Sequence, residues 1–271
     1  MRDAVPPAPI LHMIGVFDSG YGGLSVLNAI ARLLPRADLL YLADTAHVPY
    51  GDKPEGFIIG RVLAIGEHLA AQGCSLIVVA CNTATTTAIQ ALRDHLPGIP
   101  IVGVEPGIKP AALSTRTKRI AVLATEATAR SKRLAQLITS HAADVAVEVV
   151  PCPGWATHVE TLRPLTGEFR AEVAAKITPL IASGVDRIVL GCTHYAFLAP
   201  IIEPLIVGRA ELVDVADAVA RQVVRLGGAM SGRAELHLQA TAKSQRLQYA
   251  LPMLGLTALA ERSVSPQLIR L

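Results

Sequence analysis

Gln72–Ala84 reads QGCSLIVVACNTA and Ser183–Tyr195 reads SGVDRIVLGCTHY. Laid side by side without a gap, they match Gly73 to Gly184, Ile77 to Ile188, Val78 to Val189 and Cys81 to Cys192. Upstream of each lies a second pair, IGVFDS at Ile14–Ser19 and IAVLAT at Ile120–Thr125. Apolar strands resemble one another cheaply, so one match means little. Two in the same order at nearly the same spacing point to two related halves.

Outward from these segments the pattern alternates. Ile14–Phe17 is a short apolar run that ends in Asp18–Gly23, and Leu24–Leu34 follows as an apolar helix stopped by Pro35. Leu39–Leu42 gives a second strand, Phe57–Gln72 a helix closed by Gly73, and Leu76–Ala80 a third strand. Thr83–Leu96 is a helix ended by Pro97 and Gly98, and Ile101–Val104 a fourth strand. Alternating strands and helices predict an α/β fold of two pseudo-symmetric α/β domains, with mainly parallel sheets flanked by helices. The expected first domain is 14–105 plus 215–271, the second 106–214, and 1–13 a loose N-terminal extension. Helices are expected at Val215–Leu226 and Thr241–Leu254. Ligands bind beyond the carboxyl ends of parallel strands, where every polar cluster of this chain falls, so the active site is expected in the cleft between the domains.

Composition narrows the function classes. Of 271 residues 51% are hydrophobic and 17% charged, which excludes general disorder. Mean hydropathy is +0.43, but the apolar stretches are short and none reaches the length of a spanning helix. With no signal-peptide pattern in MRDAVPPAPILHM, a cytoplasmic protein with reduced thiols is expected. Net charge is +3, the basic stretch Arg116, Lys118 and Arg119 precedes a strand, and aromatics are 4%, so direct nucleic-acid binding is not expected.

Chemistry centres on cysteine. The four cysteines, Cys74, Cys81, Cys152 and Cys192, show no CxxC spacing. Cys81 and Cys192 hold equivalent places, each just past a strand and near a helix start, where the partial positive charge of the helix N-terminus should lower a thiol's pKa. Two such thiols in facing halves can approach one tetrahedral carbon from opposite sides. Cys74 and Cys152 read as small core fillers. Asn82 and Thr83 after the first thiol, and Thr193 and His194 after the second, can hold a carboxylate with side chains and helix-start amides. Asp18, beside Ser19, is positioned to serve Cys81, and His194 to serve Cys192. The turn Gly20–Gly23 is not GxGxxG, which weakens a dinucleotide reading. A zinc site of Cys81, Cys192 and His194 lacks a fourth ligand, and Cys-x-His is an uncommon structural spacing. No cofactor and no metal are expected.

These residues carry a resemblance. VFDSGYGGLSV (Val16–Val26), YLADTAHVPYG (Tyr41–Gly51), VVACNTATT (Val78–Thr86), GVEPGIKPA (Gly103–Ala111) and VLGCTHY (Val189–Tyr195) together resemble the bacterial glutamate racemases, from Ile14 to the C-terminal region. The resemblance implies cofactor-independent interconversion of L- and D-glutamate, with a role in peptidoglycan supply. It assigns the catalytic thiols to Cys81, acting on D-glutamate, and Cys192, acting on L-glutamate, with Asp18 and His194 assisting. It assigns substrate binding to Ser19, Pro49, Tyr50, Gly51, Asn82, Thr83 and Thr193. CPGWATHVE (Cys152–Glu160) resembles the family's CPxxxxxVE and implies Glu160 as a further carboxylate, although Trp155 and His158 depart from the usual pattern. Ala127 stands where glycine is frequent and Ala196 where proline is common. Alternatives within the superfamily are an aspartate racemase and a single-thiol decarboxylase of the arylmalonate type; the second thiol counts against the latter. Some relatives bind DNA gyrase, but the segment before Ile14 offers nothing to argue that partner. A homodimer is compatible with the sequence.

Overall fold

A computed structural model describes residues 13–227 and 232–271. Among the described residues, ten strands form two sheets. They are β1 (Met13–Asp18), β2 (Leu39–Ala43), β3 (Cys74–Val79), β4 (Ile101–Gly103), β5 (Arg119–Ala124), β6 (Ala146–Pro151), β7 (Arg187–Gly191), β8 (Glu211–Val213), β9 (Leu236–Ala240) and β10 (Gln267–Leu268). The first sheet runs β10-β9-β2-β1-β3-β4 and the second β6-β5-β7-β8, with every pairing parallel. Parallel neighbours require crossovers, and the helices between the strands supply them.

Both faces of each sheet are covered, which is why the strands read as unbroken apolar runs. In β3 and just beyond, Leu76, Val78 and Ala80 enter one core, while Cys74, Ile77, Val79 and Cys81 enter the core on the opposite face. In the second sheet Ile188, Leu190 and Cys192 point to one face and Val189 to the other. The sequence repeat recurs in the hydrogen-bond register: Ile14 pairs with Leu76 in the first sheet, and Ile120 with Arg187 in the second. Gly73 and Gly184 have φ of +86° and +89°. Each follows a long helix, Glu55–Ala71 or Gly167–Ala182, and turns the chain in the left-handed conformation that glycine adopts without penalty.

Three details differ from the sequence reading. Met13 belongs to β1 and pairs with Cys74, so regular structure starts one residue earlier than expected; residues 1–12 lie outside the described residues. The helix expected over Thr241–Leu254 spans Ser244–Met253. Before it, β9 adds to the first sheet beside β2, a strand the sequence reading did not anticipate.

Candidate active site

The turn after β1 carries the first carboxylate. Asp18 is buried, and its Oδ1 accepts the Ser19 hydroxyl at 3.0 Å and the Gly20 amide at 3.3 Å. Its Oδ2 accepts the Thr193 hydroxyl at 2.8 Å, a bond that spans the two sheets. The Tyr41 hydroxyl donates to the Gly20 carbonyl at 2.6 Å and fixes the turn from below. Glycine is required here for close approach. A Cβ on Gly20 would lie 2.2 Å from Glu160 Oε2, and one on Gly22 would lie 2.3 Å from His194 Nδ1.

Cys81 occupies the N-cap of the helix Asn82–His95 with extended backbone (φ −139°, ψ 120°). Its Sγ accepts the Ala84 amide at 3.4 Å and lies 4.0 Å from Ser19 Oγ, to which the thiol donates. The sequence reading expected the helix start to lower this thiol's pKa. Instead it is raised: burial dominates, the charge on Asp18 adds to it, and the Ala84 amide only partly offsets both. A negative charge on Cys192 would act in the same direction.

Cys192 follows β7 in the same extended conformation (φ −146°, ψ 133°), ahead of a 3₁₀ turn, Thr193–Leu198. Its Sγ lies 3.8 Å from His194 Nδ1, and His194 Nε2 lies 2.9 Å from Glu160 Oε2. The same Glu160 oxygen accepts the Tyr21 amide at 2.7 Å, a second bond across the sheets. Burial on its own would lower the His194 pKa. The hydrogen bonds to Cys192 and Glu160, with the charges of Cys192 and Asp18, outweigh that and hold the imidazole well above its usual range. Each thiol therefore has its own polar neighbours, Ser19 and Asp18 behind Cys81, His194 and Glu160 behind Cys192.

The other residues named from sequence have partners of their own. Asn82 Nδ2 donates to the Val104 carbonyl at 3.5 Å. Thr83 Oγ1 lies 3.2 Å from Thr125 Oγ1 and 3.4 Å from Thr128 Oγ1, which joins hydroxyls from both halves. Tyr50 is buried, with its hydroxyl on Asp44 Oδ2 at 2.6 Å. Gly51 faces Thr125, whose Cβ would be 3.3 Å from an added Cβ. A cavity of about 120 Å³ lies between Pro49, Gly51, Thr125, Cys152 and Tyr195. Asp44, Arg61, Thr125 and Thr128 were not singled out from sequence; Asp44 sits inside YLADTAHVPYG, and Thr125 ends the repeated IAVLAT. The remaining cysteines are buried in the cores, where burial pushes both Cys74 and Cys152 up to about 12. Trp155, which departs from the family pattern, packs edge-on to Tyr195, whose hydroxyl donates to the Cys152 carbonyl.

The model of the Asp/Glu/Hydantoin racemase family matches residues 20–223. The glutamate racemase of Ectopseudomonas mendocina is 46% identical over 246 residues, 89% of this chain and 94% of that protein. The crystal structure of a Bacillus anthracis glutamate racemase superposes with a TM-score of 0.84 at 27% identity, covering 96% of this chain and 98% of that one. That of the Escherichia coli glutamate racemase, in complex with L-glutamate and an activator, superposes with a TM-score of 0.76 at 28% identity, covering 96% and 99%.

Proposed function

The chain belongs to the Asp/Glu/hydantoin racemase family, and we propose that it interconverts L- and D-glutamate by a two-base transfer between Cys81 and Cys192. It is a racemase of the isomerase class. The observation that carries the mechanism is that the two thiol-bearing strand ends are tied to each other, Thr193 to Asp18 and Tyr21 to Glu160, with Ser19 beside one sulfur and His194 beside the other.

From D-glutamate, the Cys81 thiolate removes the α-proton: the C–H bond breaks, an S–H bond forms, and the electron pair passes to the α-carbon and its carboxylate. The Cys192 thiol then delivers its proton to the opposite face, which leaves Cys192 as thiolate and Cys81 as thiol. The reverse direction starts from that state. The α-hydrogen is a very weak acid, so the raised affinity of Cys81 for a proton makes it a stronger base at the expense of thiolate population. Asp18, acting through Ser19, orients the Cys81 thiol. His194, hydrogen-bonded to Cys192 and Glu160, presents a positive charge to the second sulfur. Asn82, Thr83, Thr193 and the backbone of Pro49–Tyr50–Gly51 hold the substrate, and exclusion of water strengthens each donor facing the developing charge.

All four cysteines are free, as suits a reducing compartment, and we place the enzyme in the cytoplasm, supplying D-glutamate for peptidoglycan. Among the described residues no helix is long and apolar enough to cross a membrane. The test is incubation of purified protein, dialysed against a chelator and without added cofactor, with L-glutamate and separately with L-aspartate. Formation of D-glutamate is expected; preferred turnover of aspartate would assign the chain to the other substrate. Rescue of a D-glutamate-requiring bacterial strain tests the cellular role.

A further inference from the structure

Asp44, which follows β2, is a fully buried carboxylate that belongs to neither set of polar neighbours. Its Oδ2 accepts the Tyr50 hydroxyl at 2.6 Å and Arg61 Nε at 2.9 Å. Its Oδ1 accepts Arg61 Nη2 at 2.9 Å and the Thr241 hydroxyl at 2.7 Å. A carboxylate offers about four lone-pair sites, so these donors saturate it. Asp44 has nothing left for a ligand or a proton in transit. The bidentate guanidinium compensates its buried charge.

The neighbours of Asp44 show what it organises. Its amide donates to the Asp18 carbonyl at 2.9 Å, tying it to the strand end that carries the site's first carboxylate. Thr45 Oγ1 donates to the Ala242 carbonyl at 2.6 Å and accepts the Ala242 amide at 3.1 Å, so the turn after β2 is joined to the turn after β9. Tyr50 is 1% exposed, its hydroxyl is committed to Asp44 and its carbonyl accepts the Lys53 amide at 3.0 Å, which leaves its backbone amide to serve a ligand.

We infer that Asp44 is a positioning residue for substrate binding: clamped by Arg61 and Thr241, it holds Tyr50 and thereby fixes the Pro49–Tyr50–Gly51 backbone. Through Thr241 the C-terminal part of the chain sets substrate affinity without touching substrate. The inference rests on the reading that Pro49–Gly51 contacts glutamate. A loop pinned by charged hydrogen bonds is pre-organised, and loosening it weakens binding more than the chemical step.

The test uses the full chain and initial rates from both enantiomers. Tyr50→Phe removes one hydroxyl and Thr241→Val another, and both leave the Asp44–Arg61 pair intact. Each is expected to raise KM several-fold for both enantiomers with kcat nearly unchanged, and Asp44→Asn to raise it by about tenfold or more. The Tyr50→Phe/Asp44→Asn double variant is expected to be no worse than Asp44→Asn alone, because both break one link. Gly51→Val places bulk on the loop itself and is expected to raise KM regardless of Asp44. Unchanged KM in Tyr50→Phe and Thr241→Val beside a raised KM in Gly51→Val would overturn the positioning role and leave the substrate loop standing. Unchanged KM in Gly51→Val would remove the loop reading and the inference with it. A loss confined to kcat and thermal stability would mark Asp44 as structural only and overturn the inference.

Discussion

Glu160→Gln isolates the charge behind Cys192. Glutamine keeps the shape of the side chain, and its carbonyl oxygen can still accept the Tyr21 amide now held at 2.7 Å. It cannot supply the anion that, together with Cys192, raises the His194 pKa from 2.9 Å away. The interaction at risk is buried and charge-assisted, worth about 1.5–3 kcal/mol. At about 1.4 kcal/mol per decade, that corresponds to roughly ten- to hundredfold in kcat/KM. The enantiomers have equal free energy in water, so kcat/KM must fall by the same factor from L- and from D-glutamate. Asymmetry is confined to kcat and KM taken separately.

The pH dependence has a definite sign. His194 has a raised folded pKa, so the support its charge gives is complete below its ordinary value and is lost as pH rises through the folded value. In Glu160→Gln that alkaline loss is expected to begin at lower pH. The associated thermal destabilisation should be greatest on the acidic side and narrow as pH rises. The assay is circular dichroism of inversion from each enantiomer across the pH range, beside thermal melts. An alkaline limb superimposed on that of the parent, with unchanged kcat/KM, would refute the role of the His194–Glu160 pair.

Other expectations follow from the same geometry. Cys81→Ala and Cys192→Ala should each abolish inversion of both enantiomers while the protein stays folded, as read by polarimetry and far-ultraviolet circular dichroism; turnover by either contradicts the two-thiol assignment. Gly22→Ala would set a Cβ 2.3 Å from His194 Nδ1, and steady-state kinetics should show kcat/KM down by about a hundredfold through displacement of the imidazole. Asp186 is a control outside the site. Burial opposes its ionisation, but bonds from the Thr115 hydroxyl and the Arg116 and Thr117 amides, with the Arg187 charge, hold its carboxyl below the ordinary value. Asp186→Ala should cost about 1–3 kcal/mol in urea unfolding at neutral pH without changing KM, and the deficit should narrow as pH falls through the folded value.

The parts of the molecule visible in the sequence are those where local pattern and tertiary role coincide. Strands buried on both faces, such as Leu76–Val79, announce themselves by unbroken apolar runs, and the paired glycines and cysteines mark equivalent turns in the two sheets. β9 was hidden for a physical reason. Leu236, Leu238 and Ala240 alternate with His237 and Gln239, a weaker signal than an apolar run, although Gln239 is itself buried. The Cys81 pKa was misjudged because helix-start stabilisation is a local property, whereas desolvation depends on the tertiary core packed around the thiol, here with Phe17, Leu42, Tyr50 and Val79. Asp44 was passed over because its donors come from Tyr50, Arg61 and Thr241, and no spacing in the chain reveals that convergence.

The central claim is that one sulfur takes the proton from one face of the α-carbon and the other returns a different proton to the opposite face. Initial turnover of D-glutamate in deuterium oxide, with each enantiomer separated and weighed by mass spectrometry, tests it directly. Newly formed L-glutamate should carry deuterium at the α-carbon while unreacted D-glutamate remains protiated. Inverted product that retains the original hydrogen, or deuterium entering D-glutamate ahead of inversion, would contradict it.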